Sequence, residues 1–148
     1  MTGLTSDVTY ISSLISIGVS NFDRPLLEEL HSIATTLPHL VQNWAEPGNV
    51  DLDVRAYCRA SNCVYQPYAP LRNVRFLSPT IRSVLDRLAE KYSVSLYVVI
   101  LRFFIQSGAA VIPRSTKKEH LEENLLAFEF RLEAVEMQSL GWLLPDPV

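Results

Sequence analysis

The sequence predicts an α/β fold built on parallel strands. Three observations lead there. A strand-then-helix unit recurs four times along the 148 residues, and such alternation implies parallel strands joined by helical crossovers. The strand segments are short apolar runs, as expected of parallel strands covered on both faces. A complete eight-unit barrel needs about 250 residues, so this chain has room for roughly half of one, with about four strands and a closing helix.

The elements follow in order. Residues 15–19 (Ile-Ser-Ile-Gly-Val) form the first strand, and a helix over 26–35 follows with Pro25 near its first turn. Residues 39–42 form the second strand. A loop with Pro47 and Gly48 leads to a helix over 52–60, apolar at 52, 54, 56 and 58. Residues 63–68 form the third strand. The helix over 80–92 is capped by Ser78, with Pro79 at its first position. A second helix, 95–106, contains Val98-Val-Ile-Leu101, which could pass for a strand. Its length and the Ser107-Gly108 stop favour helix. Residues 109–112 form the fourth strand, 117–128 its helix and 132–143 a further amphipathic helix. The tail Pro145-Asp-Pro147 ends the order.

The fourth unit carries the most informative local chemistry. Pro113 closes an apolar run, a compact polar loop follows, and a helix opens. Thr116 and Glu119 have the spacing of a capping box. Free N–H groups and the helix dipole there favour an anion, and Arg114, Lys117 and Lys118 bring cations to the same place. A strand delivering a basic loop to a helix N-terminus suits a phosphorylated ligand.

Composition narrows the classes. A hydrophobic content of 48% and a charged content of 20% are those of a folded domain. The net charge of −3 and pI near 5.6 argue against nucleic acid as the main partner. Cys58 and Cys63 cannot make a disulfide framework and read as buried free thiols, which fits a reducing, cytoplasmic location. Residues 8–19 are mildly apolar but too short for a membrane span, with no basic flank for a signal peptide. No His/Cys/Asp/Glu set has metal-ligand spacing. His31, His39 and His120 lie away from any catalytic grouping. Asp51 and Asp53 flank a helix start, where acidic residues favour the dipole.

Four stretches carry a family likeness. They are Ile17-Gly-Val-Ser-Asn-Phe22, Pro38-His-Leu-Val-Gln42, Tyr65-Gln-Pro-Tyr-Ala-Pro-Leu71, and Ile112-Pro-Arg-Ser-Thr116 with Glu123-Asn124. In order and spacing, from Ile17 to about Leu143, the chain resembles the aldo-keto reductases, specifically the C-terminal half of their TIM-type barrel. The resemblance implies an NADPH-dependent oxidoreductase that reduces aldehydes and ketones. It implies that Ser20, Asn21 and Gln42 hold the nicotinamide carboxamide and that Tyr68 stacks on the ring. Ala69, Pro70 and Leu71 would line the pyrophosphate. Arg114, Ser115 and Thr116 would meet the 2′-phosphate, and Glu123 and Asn124 the adenine. His120 stands where the family commonly has a cofactor-contacting Arg. Arg114 replaces a commoner Lys and Ala69 a commoner Ser. The family's catalytic Asp, Tyr, Lys and His belong to the N-terminal half of the barrel, so no catalytic residue is assigned here. Residues 1–16 do not resemble the family's lead into this strand.

The residues themselves point the same way. Ser20, Asn21, Gln42 and Tyr68 all fall at or just past the C-terminal ends of expected strands, the edge where barrels bind ligands. The expectation is therefore the NADP(H)-holding half of a reductase, inactive alone. The alternatives are a non-catalytic dinucleotide-binding or interaction module that self-associates through its bare strand edges, or a truncated gene product.

Overall fold

The computed structural model describes residues 15–140. Residues 1–14, the end of the expected last helix and the Pro-rich tail lie outside the described residues. Three parallel strands run in the order β1-β2-β3: β1 is Gly18–Ser20, β2 Leu40–Trp44 and β3 Val64–Tyr68. The helices are α1 (Arg24–Ile33), α2 (Leu52–Ala60), α3 (Pro79–Tyr92), α4 (Leu96–Gln106), α5 (Lys118–Leu125) and α6 (Ala134–Ser139). Short 3-10 turns lie at Val74–Phe76 and Leu126–Phe128.

The α/β alternation with parallel pairing is as expected, and several boundaries move for local reasons. β1 begins three residues later than expected because the His39 imidazole, rather than the β2 backbone, faces the Ile17 N–H (3.4 Å). Gly18 then allows a close approach, since a Cβ there would stand 2.9 Å from the Leu40 carbonyl oxygen. α1 begins two residues early because the Asp23 carboxylate accepts from Leu26 N at 3.0 Å. Ser78 caps α3 as expected, accepting from Ile81 N.

The fourth strand is not formed. Residues 110–112 do run parallel to β3: Ala110 N donates to Tyr65 O and Ile112 N to Pro67 O, both at 3.0 Å. The bond between those two would need an N–H on Pro67, which has none. One isolated bridge, Tyr68 with Ile112, is what remains.

The expectation that both sheet faces are covered also fails. Val41, Asn43, Tyr65 and Pro67 are buried, while Gln42, Gln66 and Tyr68 on the alternate face are only half-buried and Trp44 is exposed. Successive side chains point to opposite faces. The core packs under one face, and the other lies open among the described residues.

That core centres on α4, whose Val98, Val99, Ile100, Leu101, Phe103 and Phe104 are all buried. A helix apolar around most of its circumference belongs in an interior, which is why this segment is a helix and not a strand. Gln106 binds both the N–H (3.0 Å) and the carbonyl (2.8 Å) of Leu132, tying α4 to the approach of α6. α6 has a capping box of its own, Glu133 with Glu136. The one expected at Thr116 and Glu119 is absent: α5 starts after Lys117 with no side-chain cap, because Ser115 Oγ takes the Lys117 N–H at 3.1 Å.

A polar clamp joins α3 to α6. Glu136, 8% exposed, accepts from Lys91 Nζ (2.7 Å), Tyr92 OH (2.5 Å) and Glu133 N (2.8 Å). Burial raises the Glu136 pKa, but those hydrogen bonds outweigh it and hold the carboxyl below its usual range. Unfolded glutamate titrates near ~4.3. The clamp's contribution is therefore complete above that value and is lost as pH falls through the lower folded pKa. Glu136→Gln is expected to lower the urea midpoint at pH 7 and to reduce the protein's further loss of stability at about pH 3. An unchanged acid sensitivity would mean that the clamp adds nothing to stability.

Candidate functional site

The rim at the C-terminal strand ends is assembled by two left-handed residues. Asn21 (φ 59°) follows β1 directly, and Ala69 (φ 54°) follows β3. Each turns the chain out of the sheet at once. The left-handed region disfavours a residue with a Cβ, by roughly 1–2 kcal/mol, so Ala69 is a strained position beside the rim. Its carbonyl accepts from Arg72 N at 3.1 Å, closing the turn that carries Pro70 and Leu71. Glu46, buried, holds that loop: its two carboxylate oxygens accept from Asn73 N (3.0 Å) and Asn73 Nδ2 (2.6 Å).

Four expected site residues come together. Tyr68 OH donates to Asn21 Oδ1 at 2.9 Å, spanning the sheet from β3 to the end of β1. Ser20 Oγ (2.8 Å) and Asn21 N (3.0 Å) both donate to the Gln42 carbonyl. Gln42 Nε2 donates to Gln66 Oε1 at 2.9 Å. One position is corrected: Gln42 sits in the middle of β2, not at its end, because pairing with β3 extends through Asn43 and Trp44.

The Tyr68–Ile112 bridge brings the Pro113-Arg114-Ser115-Thr116 loop past the same rim. Arg114 and Thr116 are exposed and Ser115 is half-buried. Arg114 makes no ion pair among the described residues. Lys118 instead pairs along its own helix with Glu122 at 3.4 Å, exposed on both sides. With α5 uncapped, its first-turn N–H groups remain available to an anion. His120 lies exposed in that first turn. Glu123 and Asn124 follow on the same helical face, half-buried. No hydrogen bond ties these three to the Tyr68 cluster among the described residues.

A cleft of about 210 Å³ opens beside the rim, lined by Asn21, Phe22, Asp23, Asn43, Trp44 and Asp51 among others. Asn43, Trp44 and Glu46 were not foreseen as site residues. Asn43 is buried and donates to Phe22 O (2.7 Å) and Asp51 Oδ2 (2.8 Å), fixing the wall of the cleft. Asp51, expected to serve the helix dipole, makes no cap. Its carboxylate also accepts from Tyr65 OH at 2.9 Å, and burial together with that carboxylate pushes the Tyr65 pKa up.

The thiols are free. Cys58 is buried, and burial raises its pKa to about 12. Cys63 is only half-buried, against expectation, because it precedes β3 rather than lying inside it. No group of three metal-ligating side chains occurs among the described residues. No helix among them is long and apolar enough to cross a membrane.

Known proteins share this fold. The sequence profile of the Aldo/keto reductase family matches residues 13–143. Glyoxal reductase of Bacillus subtilis is 34% identical over 131 residues, which is 88% of this chain and 46% of that protein. The crystal structure of Bombyx mori aldo-keto reductase in complex with NADP superposes with a TM-score of 0.80 at 27% identity, over 93% of this chain and 47% of that one. A mutant of Gox0644 in complex with NADPH gives 0.77 at 32% identity, over 86% of this chain and 46% of that one. The chain thus spans less than half the length of these relatives.

Proposed function

Because this chain belongs to the aldo/keto reductase family, we propose that residues 17–148 are the C-terminal, NADP(H)-holding half of the family's barrel, serving carbonyl reduction, with residues 1–16 outside that half. The observation that carries the reading is the Tyr68–Asn21 hydrogen bond across the strand ends, with Gln42 between them. Ligands of barrels gather at that end of the strands.

The polar groups left over match a carboxamide. Asn21 Oδ1 is taken by Tyr68, which leaves Asn21 Nδ2 to donate; Gln42 Nε2 is taken by Gln66, which leaves Gln42 Oε1 to accept. A nicotinamide carboxamide needs one of each. Tethered by its hydroxyl, Tyr68 offers its ring as a flat surface for the nicotinamide. Ala69, Pro70 and Leu71 would line the pyrophosphate. Arg114, Ser115, Thr116 and the uncapped start of α5 would take the 2′-phosphate, and His120, Glu123 and Asn124 the adenine end. The bound cofactor would supply a hydride. These residues would hold and orient it, and the proposal assigns none of them the task of polarising the carbonyl.

The test is a titration of the 148-residue polypeptide with NADPH, read by tryptophan emission, since Trp44 stands beside Tyr68 in register. Saturable quenching is expected, weakened about tenfold by Tyr68→Leu, the loss of one ring contact. No aldehyde turnover should accompany binding. Absence of binding would sink the cofactor assignment. Turnover at an ordinary enzymatic rate would sink the assignment to a half that lacks catalytic residues.

A further inference from the structure

A second polar cavity lies at the opposite end of the sheet. It measures about 130 Å³ and is lined by Arg55 and Arg59 of α2, by Cys63 and Tyr65, and by the turn of Ser107 to Ala109. Cys63 stands one residue before β3, and Ala110 N donates to Tyr65 O. The cavity therefore sits at the N-terminal strand ends, away from Tyr68 and Asn21.

Arg55 is its unusual member. It is only 5% exposed, yet it makes no ion pair among the described residues, and its Nη1 is buried with no hydrogen-bond partner. The guanidinium lies 5.7 Å from the Tyr65 ring centre and 6.0 Å from that of Phe104. Ring faces attract a cation, but they do not replace the oxygen acceptors its N–H groups require. Asp51, one turn earlier on the chain, has its Oδ2 occupied by Asn43 and Tyr65. Burial holds the Arg55 pKa below its usual value; Tyr65 and Asp51 oppose this, and Arg59 adds to it. A charge kept this far from water is strongly unfavourable without a counterion.

We propose that this cavity binds a small oxyanion, of which phosphate is the type, between the guanidinium groups of Arg55 and Arg59. The two arginines stand four residues apart on one helix, so their side chains lie on the same face. The other polar groups of the lining are already committed. Ser107 Oγ donates to Phe103 O at 2.7 Å, and the Gly108 and Ala109 N–H groups close on carbonyls at the end of α4. Recognition thus falls to the arginines, whose forked donors suit a phosphate oxygen pair.

The test follows thermal unfolding of the full chain as inorganic phosphate is added at constant ionic strength, with sodium acetate as a second arm. A saturable rise in Tm is expected with phosphate, as for any ligand of the native state, and a smaller rise with acetate. Arg55→Met, which keeps the stem on the two rings, should abolish the rise. Arg75→Ala, at an exposed arginine outside both basic sites, should preserve it. An equal rise in wild type and Arg55→Met would reflect general salt exclusion and overturn the proposal. Amide NMR of the wild type stands even if the variant does not fold. Phosphate should shift Cys63, Gly108 and Ala109, whereas shifts confined to residues 114–118 would overturn the proposal.

Discussion

Phe103→Ala is expected to destabilise the protein by about 3–5 kcal/mol, the usual range for truncating a large buried ring. Phe103 is fully buried on α4 and meets Phe104 edge-on, with ring centres 5.9 Å apart. It belongs to one buried cluster drawn from several elements, including Leu27 of α1, Val41 of β2 and Leu85 of α3. Helices and strands cannot all close in at once, so a cavity remains. A domain of ordinary size has a total stability of roughly 5–15 kcal/mol, and the loss is therefore a large fraction of the whole. Urea unfolding measures it directly. Phe76→Ala provides the comparison, because Phe76 is exposed and its loss should change stability by no more than about 0.5 kcal/mol. Equal effects at the two positions would place the core elsewhere.

Arg114→Ala is expected to weaken NADPH by about 10–100-fold while leaving NADH nearly unchanged. A charge-assisted hydrogen bond contributes about 1.5–3 kcal/mol, and only NADPH carries the 2′-phosphate to receive it. Arg114 is exposed and makes no ion pair among the described residues, so its removal leaves no partner stranded. Lysine at this position should restore part of the affinity as a point charge without the fork. The wild-type preference should shrink as salt rises. Equal losses for the two cofactors in fluorescence titration would show that another group meets the phosphate.

Much of this was legible in the residues, and the failures have physical causes. The alternation of strands and helices followed from local periodicity, and α2 matches its expected span of 52–60. α4 was recognisable as a helix from its length and the Ser107-Gly108 stop. Caps were less readable, because a cap is settled by where the preceding loop points. Asp23 and Ser78 do cap, whereas Asp51 turns inward to Asn43 and Tyr65. Strand ends were the weakest, since pairing is not local. Asn43 and Trp44, after Gln42, become visible only by continuing the two-residue alternation beyond it. The open face of the sheet could not be read from apolar content: Leu40 and Val64 lie on it beside Gln42 and Gln66. Ser20, Asn21, Gln42 and Tyr68 were grouped in advance by their places near strand ends. Arg55 was not singled out, because its burial depends on rings contributed by β3 and α4.

Pro67 has an effect on motion. The chain from Ala110 to Ile112 is stitched to β3 by two bonds that both run one way, with no return bond from the proline. β2 is held along its whole length by a five-residue register. The outer stretch should therefore detach in small openings that leave the central strands shut. Deuterium should reach the amides of Ala110 and Ile112 well before those of Val41 and Asn43, and the arginine two residues beyond Ile112 would swing aside with each opening, clearing a path for a long, multiply charged guest to enter or leave.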